Sequence, residues 1–270
     1  MSSNLSLNNC FLISYSNDPH NDNWSLQGYR ISLNKQIINH QITISQLFTL
    51  NGKGSANVTR KYLNQCIYTI GMGNNDYISN YFVPNYYETS SEYTPEEYAE
   101  VLVEQYSRQL QELYESGARK FGIFAAGYSG CCPGIMADYG LNSCVELVNN
   151  AVKLFNTLLN TTLNDLNNRF LDAKFILIDA RLVYPSDLNV TDKPCCEIAL
   201  RTTGKGSCVP NQVPCSNRQN YIFWDAFHPT ERVNVIDGTK AYETLYPFYT
   251  YSEAMLPLTH TKAGYEVSDA

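Results

Sequence analysis

Near its C-terminus the chain carries an aspartate and a histidine three residues apart, Asp225 and His228, in the stretch YIFWDAFHPT (221–230). A carboxylate beside a histidine fixes the tautomer of the imidazole and stabilises its charged form, which is the arrangement that activates a nucleophile in acyl transfer. An Asp-x-x-His pair also occurs without catalysis, because an aspartate often serves as the N-cap of a following helix. The pair therefore raises the question of where a nucleophile lies.

A second polar group follows a buried apolar run. The segment QCIYTIGMG (65–73) predicts a strand that ends at glycines, and Asn75 comes just after it. Active sites in open α/β sheets gather at the carboxyl ends of the strands, so the amide of Asn75 could donate a hydrogen bond to a developing oxyanion. Asn75 and Asp76 are also turn-forming residue types, and on this stretch alone we favour that interpretation.

The elements that must position these residues alternate along the chain. The runs KFGIFAAG (120–127) and KFILIDA (174–180) predict two more buried strands. Apolar residues at helical spacing predict helices, at about 33–48, 95–116, 143–168 and 229–245. Continuous apolar strands alternating with long helices are typical of a three-layer α/β/α sandwich around a mainly parallel sheet.

Composition excludes several classes of function. Charged residues make up 17% of the chain and the net charge is −7, which argues against a nucleic-acid partner. No apolar run is long enough to span a membrane. The four histidines lie far from the cysteine clusters and no zinc-binding spacing occurs, so we expect no metal and no cofactor.

The cysteines and the asparagine sequons are typical of a secreted protein. Four of the nine cysteines, at 195–215, lie in a Pro/Gly/Ser-rich stretch that predicts a disulfide-stapled loop, with three possible pairings and buried free thiols as the alternative. The sequence Asn-x-Ser/Thr, which is the acceptor for N-glycosylation, occurs at Asn4, Asn23, Asn57, Asn160 and Asn189. The N-terminal residues, however, do not read as a signal peptide.

Several separate motifs, in order along residues 28–245, resemble the plant GDSL-type esterases and lipases of the SGNH hydrolase superfamily. The segments that carry the resemblance are GYRISLNKQI, GNNDY, ESGARKFGIF, CVELVNNAVKLFN, AKFILIDA and PCSNRQNYIFWDAFHPTE. The resemblance implies a flavodoxin-like fold, a secreted protein and a small-molecule ester or lipid substrate. We also expect a monomer.

The resemblance also implies roles for individual residues. In that family a Ser in a Gly-Asp-Ser-Leu motif is the nucleophile, and its backbone amide forms the oxyanion hole with a Gly and an Asn. The residue that matches this Asn is Asn75, the base matches His228, and the supporting carboxylate matches Asp225. Family cysteines match a Cys131–Cys144 pair and pairs within 195–215. The remaining cysteines, at 10, 66 and 132, look extra, and Cys66 should be a free thiol.

The sequence departs from the family where the nucleophile belongs, because no Gly-Asp-Ser occurs in the 270 residues. We therefore expect an atypical, disordered segment at 1–27, an incomplete SGNH domain at 28–256 that lacks the first strand unit, and a polar tail at 257–270. The loss should leave an apolar edge on the strand at 65–73. Ser129, in GYSG, is a weak candidate for a substitute nucleophile, because Cys131 stands where a nucleophile elbow has glycine.

Two functional interpretations remain open at this point. The first is a carboxylic-ester hydrolase by descent, inactive as the chain is written. The second is a non-catalytic remnant with at most a binding role, or an incomplete gene product.

Overall fold

The structure, a computed structural model, describes residues 9–11, 31–50, 55–179, 184–199 and 206–249. The strands are β1 (Asn9–Phe11), β2 (Ile67–Gly71), β3 (Lys120–Phe124), β4 (Lys174–Ile178), β5 (Val190–Pro194) and β6 (Tyr221–Phe223). The α-helices are α1 (Leu33–Leu50), α2 (Ser55–Gln65), α3 (Asn74–Asp76), α4 (Thr89–Glu92), α5 (Pro95–Glu115), α6 (Pro133–Asp138), α7 (Glu146–Arg169) and α8 (Glu231–Tyr249). One π-helical turn (Tyr77–Tyr81) and two 3₁₀ turns (Ser129–Cys131 and Arg218–Asn220) complete the described elements.

A parallel sheet in the order β1-β2-β3-β4 forms the middle layer. On one face the main core contains Tyr68 of β2, Leu102 of α5 and Phe155 of α7. On the other face Leu245 of α8 packs in a smaller cluster that reaches Ile67. Alternate residues of β2 thus point to opposite helical layers, which confirms the predicted α/β/α sandwich with a parallel sheet.

Strand β1 corrects two of the expectations for the N-terminus. Residues 9–11, which were predicted to be loop or disordered, pair in parallel with β2 in the register Asn9↔Ile67, Cys10↔Tyr68 and Phe11↔Thr69. Over those three residues the edge of β2 is therefore paired rather than open. The rest of segment 1–27 and the whole of the tail at 257–270 lie outside the described residues, so both boundaries stay predictions.

The four predicted helices are present as α1, α5, α7 and α8, and the structure adds α2 and three short helices that were not predicted. Helix α5 begins with the capping box that its sequence indicates, in which Thr94 and Glu97 bond each other's backbone N–H. The apolar residues at helical spacing in α1 are Leu33, Ile37, Ile44 and Phe48. Only Leu33 and Ile37 are buried, and Phe48 is 49% exposed.

Three disulfides staple the loops around the carboxyl end of the sheet. They join Cys131 to Cys144, Cys195 to Cys215 and Cys196 to Cys208. The first pair is the one that the family resemblance implied, and the other two select one of the three pairings that were open. Cys66 and Cys132 are both buried and belong to none of these disulfides, as predicted for Cys66. The side chain of Cys10 lies outside the described residues.

Candidate active site

The Asp225–His228 pair sits in a tight turn between β6 and α8. His228 Nδ1 lies 2.8 Å from Asp225 Oδ2 and 3.0 Å from Oδ1. The backbone N–H groups of Phe227 and His228 both donate to Asp225 Oδ1 at 2.8 Å. The carboxylate therefore caps its own turn, and helix α8 begins only at Glu231. The alternative interpretation of Asp225 as the N-cap of that helix is wrong.

The electrostatics of the pair favour a charged carboxylate and a basic imidazole. Partial burial acts to raise the pKa of Asp225, but hydrogen bonds from the His228 side chain and from backbone N–H groups lower this pKa below its ordinary value. The hydrogen bond to Asp225 raises the pKa of His228, against a smaller opposing effect of burial. A carboxylate only accepts hydrogen bonds, so Nδ1 carries the proton and Nε2 of the neutral ring is left to accept one.

The turn after β2 places Asn75 on the wall of the same cleft. Gly73 adopts φ 106°, and a Cβ at this position would lie 2.9 Å from the ring of Phe155, so the turn requires glycine. Asn75 follows in the short helix α3 and lines the cavity that His228 also lines. The structure therefore brings together the three residues that the sequence singled out.

The cleft has a volume of about 840 Å³, which is the size of a site for a small molecule. Its walls come from the carboxyl ends of β2 and β3, from the Asp–His turn and from the first turns of α8. Its apolar lining consists mainly of Met72, Ile78, Phe124, Met136, Ile222, Phe223, Phe227 and Val233.

Among the described residues, this cleft is lined by the hydroxyl and thiol groups of Ser129, Cys132, Ser143 and Thr191. The two that are buried, Ser129 and Cys132, are not arranged as nucleophiles. The hydroxyl of Ser129, which is 3% exposed, donates to Asn74 Oδ1 at 3.0 Å. Burial raises the pKa of the Cys132 thiol to about 12, so this group stays protonated. The hydrogen bonds described for the His228 ring go to Asp225 alone.

The loop after β3 is held by two asparagines of α7 whose role the sequence pattern did not reveal. Asn156 accepts from Ala126 N at 2.8 Å and donates to Ala126 O at 2.9 Å. Asn149 accepts from Gly130 N at 2.9 Å. The sequence pattern places both on the polar stripe of the predicted helix. Their seven-residue spacing, which is two helical turns, was the available signal that they share one face.

The fit of this loop against α7 predicts the effect of one extra methyl group. A Cβ at Gly130 would lie 2.3 Å from the carbonyl oxygen of Val145, whereas a Cβ at Gly127 meets nothing within 4 Å. Overpacking of this kind costs about 1–3 kcal/mol. We therefore expect Gly130→Ala to lower the melting temperature by several degrees and the matched Gly127→Ala to leave it nearly unchanged. Equal melting temperatures for the two variants would contradict the packing.

Within the described residues, no group of three or more His, Cys, Asp or Glu side chains is arranged to hold a metal ion. None of the described helices is both long and apolar enough to cross a membrane.

An α/β/α sandwich with a histidine held by an aspartate beside a cleft at the carboxyl edge of its sheet is an arrangement that α/β enzymes with a histidine base also have. The family model for GDSL-like lipase/acylhydrolase matches residues 8–236, and the chain belongs to this family. The match begins at residue 8, so the expectation that the first 27 residues do not resemble the family is wrong from that residue onward.

Relatives in Arabidopsis thaliana agree with the family assignment. The chain is 42% identical over 224 residues to GDSL esterase/lipase At1g29670, covering 80% of this chain and 61% of the relative. It is 39% identical over 226 residues to GDSL esterase/lipase At5g45670, and 40% identical over 226 residues to GDSL esterase/lipase At4g18970. Those two alignments each cover 80% of this chain and 62% of the relative. The chain thus spans about 60% of the length of these relatives.

Proposed function

We propose that this chain carries the acid–base half of a carboxylic-ester hydrolase site. The observation that carries the proposal is the Asp225–His228 pair, with Nδ1 2.8 Å from the carboxylate, on the wall of an 840 Å³ cleft. In this proposal His228 is the general base, Asp225 orients it and Asn75 donates to the oxyanion. The substrate is a small-molecule ester or lipid, as the names of the relatives suggest for those proteins.

The roles follow a single acyl-transfer cycle. His228 Nε2 takes the proton of a serine hydroxyl as this hydroxyl attacks the ester carbonyl, and Asp225 stabilises the resulting imidazolium. The Asn75 amide donates to the negative oxygen of the tetrahedral intermediate. His228 then returns the proton to the leaving alcohol, and water releases the acid by the same steps. The serine belongs to a Gly-Asp-Ser-Leu block, which these 270 residues do not contain.

A second candidate function is binding of an ester without turnover. The observation that favours it is that the described residues form the cleft and the Asp–His pair, while none of their hydroxyls is hydrogen-bonded to His228. For the chain as written we propose this state, with hydrolysis as the function of the complete site.

We also propose that the protein is secreted and glycosylated. Three disulfides support an oxidising compartment, since such bonds are rare in the cytosol. Three of the sequon asparagines, Asn57, Asn160 and Asn189, are exposed, as N-glycosylation requires.

The test restores the nucleophile and follows it with a fluorophosphonate probe. In a chimera, residues 1–27 of this chain are replaced by the Gly-Asp-Ser-Leu segment of GDSL esterase/lipase At1g29670. We expect the probe to label the grafted serine, and His228→Ala in the same chimera to abolish the labelling while leaving the melting temperature unchanged. A chimera with the grafted Ser→Ala is the blank. A folded chimera that the probe does not label would sink the proposed role of His228.

A further inference from the structure

One wall of the cleft is polar and lies away from the Asp–His pair. Asn234, Asp237 and Gly238 all line the cavity from α8. They fall at positions i, i+3 and i+4, so they share one face of the helix. Asp237 is six residues into a helix that rises about 1.5 Å per residue, which places it roughly 9 Å along the axis from the helix start near His228.

Asp237 is an acceptor with unused capacity on this wall. The Tyr184 hydroxyl donates to its Oδ1 at 3.4 Å, and among the described residues no donor reaches Oδ2. A carboxylate can accept about four hydrogen bonds. Burial raises the pKa of Asp237, and burial with the neighbouring Asp237 raises the pKa of Tyr184 to about 12. A further hydrogen-bond donor from a ligand would stabilise this partly desolvated carboxylate.

The charge of the lining restricts what that donor can be. Two carboxylates, Asp192 and Asp237, line the cleft, and none of its described lining residues is Lys or Arg. A phosphate or carboxylate on the ligand would meet like charge on this wall, with no Lys or Arg of the described lining to compensate it. A neutral group that carries hydroxyls meets acceptors from Asp237 and an amide from Asn234.

We propose that Asp237, with Tyr184 and Asn234, forms a subsite for a neutral, hydroxyl-bearing alcohol portion of the substrate, such as a sugar or polyol, while the apolar wall takes the acyl chain. The proposal deepens the proposed function and rests on it, since it assumes that this cleft holds the ester.

Binding to the 270-residue chain tests the subsite without any need for turnover. The probes are hexyl β-glucoside, hexyl phosphate and 1-hexanol, which share one alkyl chain, measured by isothermal titration calorimetry. We expect the glucoside to bind roughly tenfold or more tightly than the other two, because a hydrogen bond to a charged group is among the stronger ones. Asp237→Ala should abolish this advantage and leave the binding of 1-hexanol unchanged.

Two further variants keep the result interpretable. Asp165→Asn removes an equal charge from an exposed position on α7, outside the cleft, and should change nothing. Gly238→Leu adds a side chain where a Cβ meets nothing within 4 Å, so it should weaken the binding of the glucoside without destabilising the helix.

The outcomes separate this proposal from the proposed function. Glucoside binding that is absent, equal to that of 1-hexanol, or insensitive to both Asp237→Ala and Gly238→Leu would overturn the subsite. Labelling of the chimera by the fluorophosphonate probe depends on His228 and the grafted serine, and is read separately.

Discussion

The 270-residue chain is expected to hydrolyse p-nitrophenyl butyrate about 10⁶-fold more slowly than the chimera that carries the Gly-Asp-Ser-Leu block. Removing the nucleophile of a Ser-His-Asp system costs on this order in kcat. The backbone amide of that serine is also an oxyanion donor, and each lost donor costs roughly 10² or more. The measurement is the initial rate of p-nitrophenol release by the two purified proteins at equal concentration.

The controls of this experiment are variants of the short chain itself. If its residual rate is background, Ser129→Ala and His228→Ala should both leave that rate unchanged. The Ser129 hydroxyl already donates a hydrogen bond to Asn74, and no described hydrogen bond links it to His228. Fast hydrolysis that His228→Ala abolishes would instead show that an unrecognised hydroxyl serves as the nucleophile, and Ser129→Ala would test the first candidate.

Local sequence signals were strong enough to predict most of the sheet and its main helices. Strands β2, β3 and β4 are short apolar runs bounded by turn residues, and parallel strands buried on both faces are expected to read this way. The N-terminus of α5 was predictable because Thr94 and Glu97 form a capping box whose geometry depends only on neighbouring residues.

Features that depend on distant partners were not predictable in the same way. Strand β1 has only three residues, Asn9–Phe11, and its pairing with β2 is invisible to a search for periodic apolar residues. Phe48 belongs to a clear amphipathic stripe but is 49% exposed, because burial requires a neighbouring layer as well as a pattern. Asn149 and Asn156 are polar, yet both point at a loop whose backbone groups need partners.

The site shows the same division between local and distant information. Asp225 and His228 lie three residues apart, so their contact needed only the turn between them, and the sequence predicted it. Asn75 is far away in the chain, and it reaches the same cleft only because parallel strands end at one edge of the sheet. Asp237 belongs to no sequence motif, and the proposed subsite depends on the packing of α8 beside Tyr184, which the sequence pattern does not predict.

Asp225→Asn is expected to disable His228 while nearly preserving the turn. The Asn oxygen can still accept from the backbone N–H groups of Phe227 and His228, as Asp225 Oδ1 does now. Its NH₂ group would then face His228 Nδ1 as a donor, which forces the proton onto Nε2. That nitrogen could no longer take the proton of the nucleophile. In the chimera we expect kcat to fall about 10⁴-fold, which is the effect of the same Asp-to-Asn change in another Ser-His-Asp triad, where it also leaves the wrong tautomer.

The same variant can be tested in the 270-residue chain without turnover, by measuring the pKa of His228. Asp225 raises this pKa, so Asp225→Asn should lower it, and the pH at which His228 becomes neutral should move down. The matched control, Asp165→Asn, removes an exposed carboxylate elsewhere and should leave the titration unchanged. NMR titration of the four imidazole rings measures the shift. An unchanged or higher pKa in Asp225→Asn would contradict the role of Asp225.

The sign of the effect on stability follows from the two pKa shifts. The raised pKa of His228 contributes stability that is fully present below the pKa of the unfolded chain and is lost as pH rises through the folded value. The lowered pKa of Asp225 contributes stability that is present above its unfolded value and is lost as pH falls through the folded one. The loss of melting temperature caused by Asp225→Asn should therefore be largest between roughly pH 4 and 6.5, where both groups are charged, and should shrink above the pKa of His228. The His228 side chain is 71% exposed, so solvent screening should keep the contribution of the pair small. A loss that grows steadily above that pKa would show that the carboxylate acts on the turn alone and not on the imidazole.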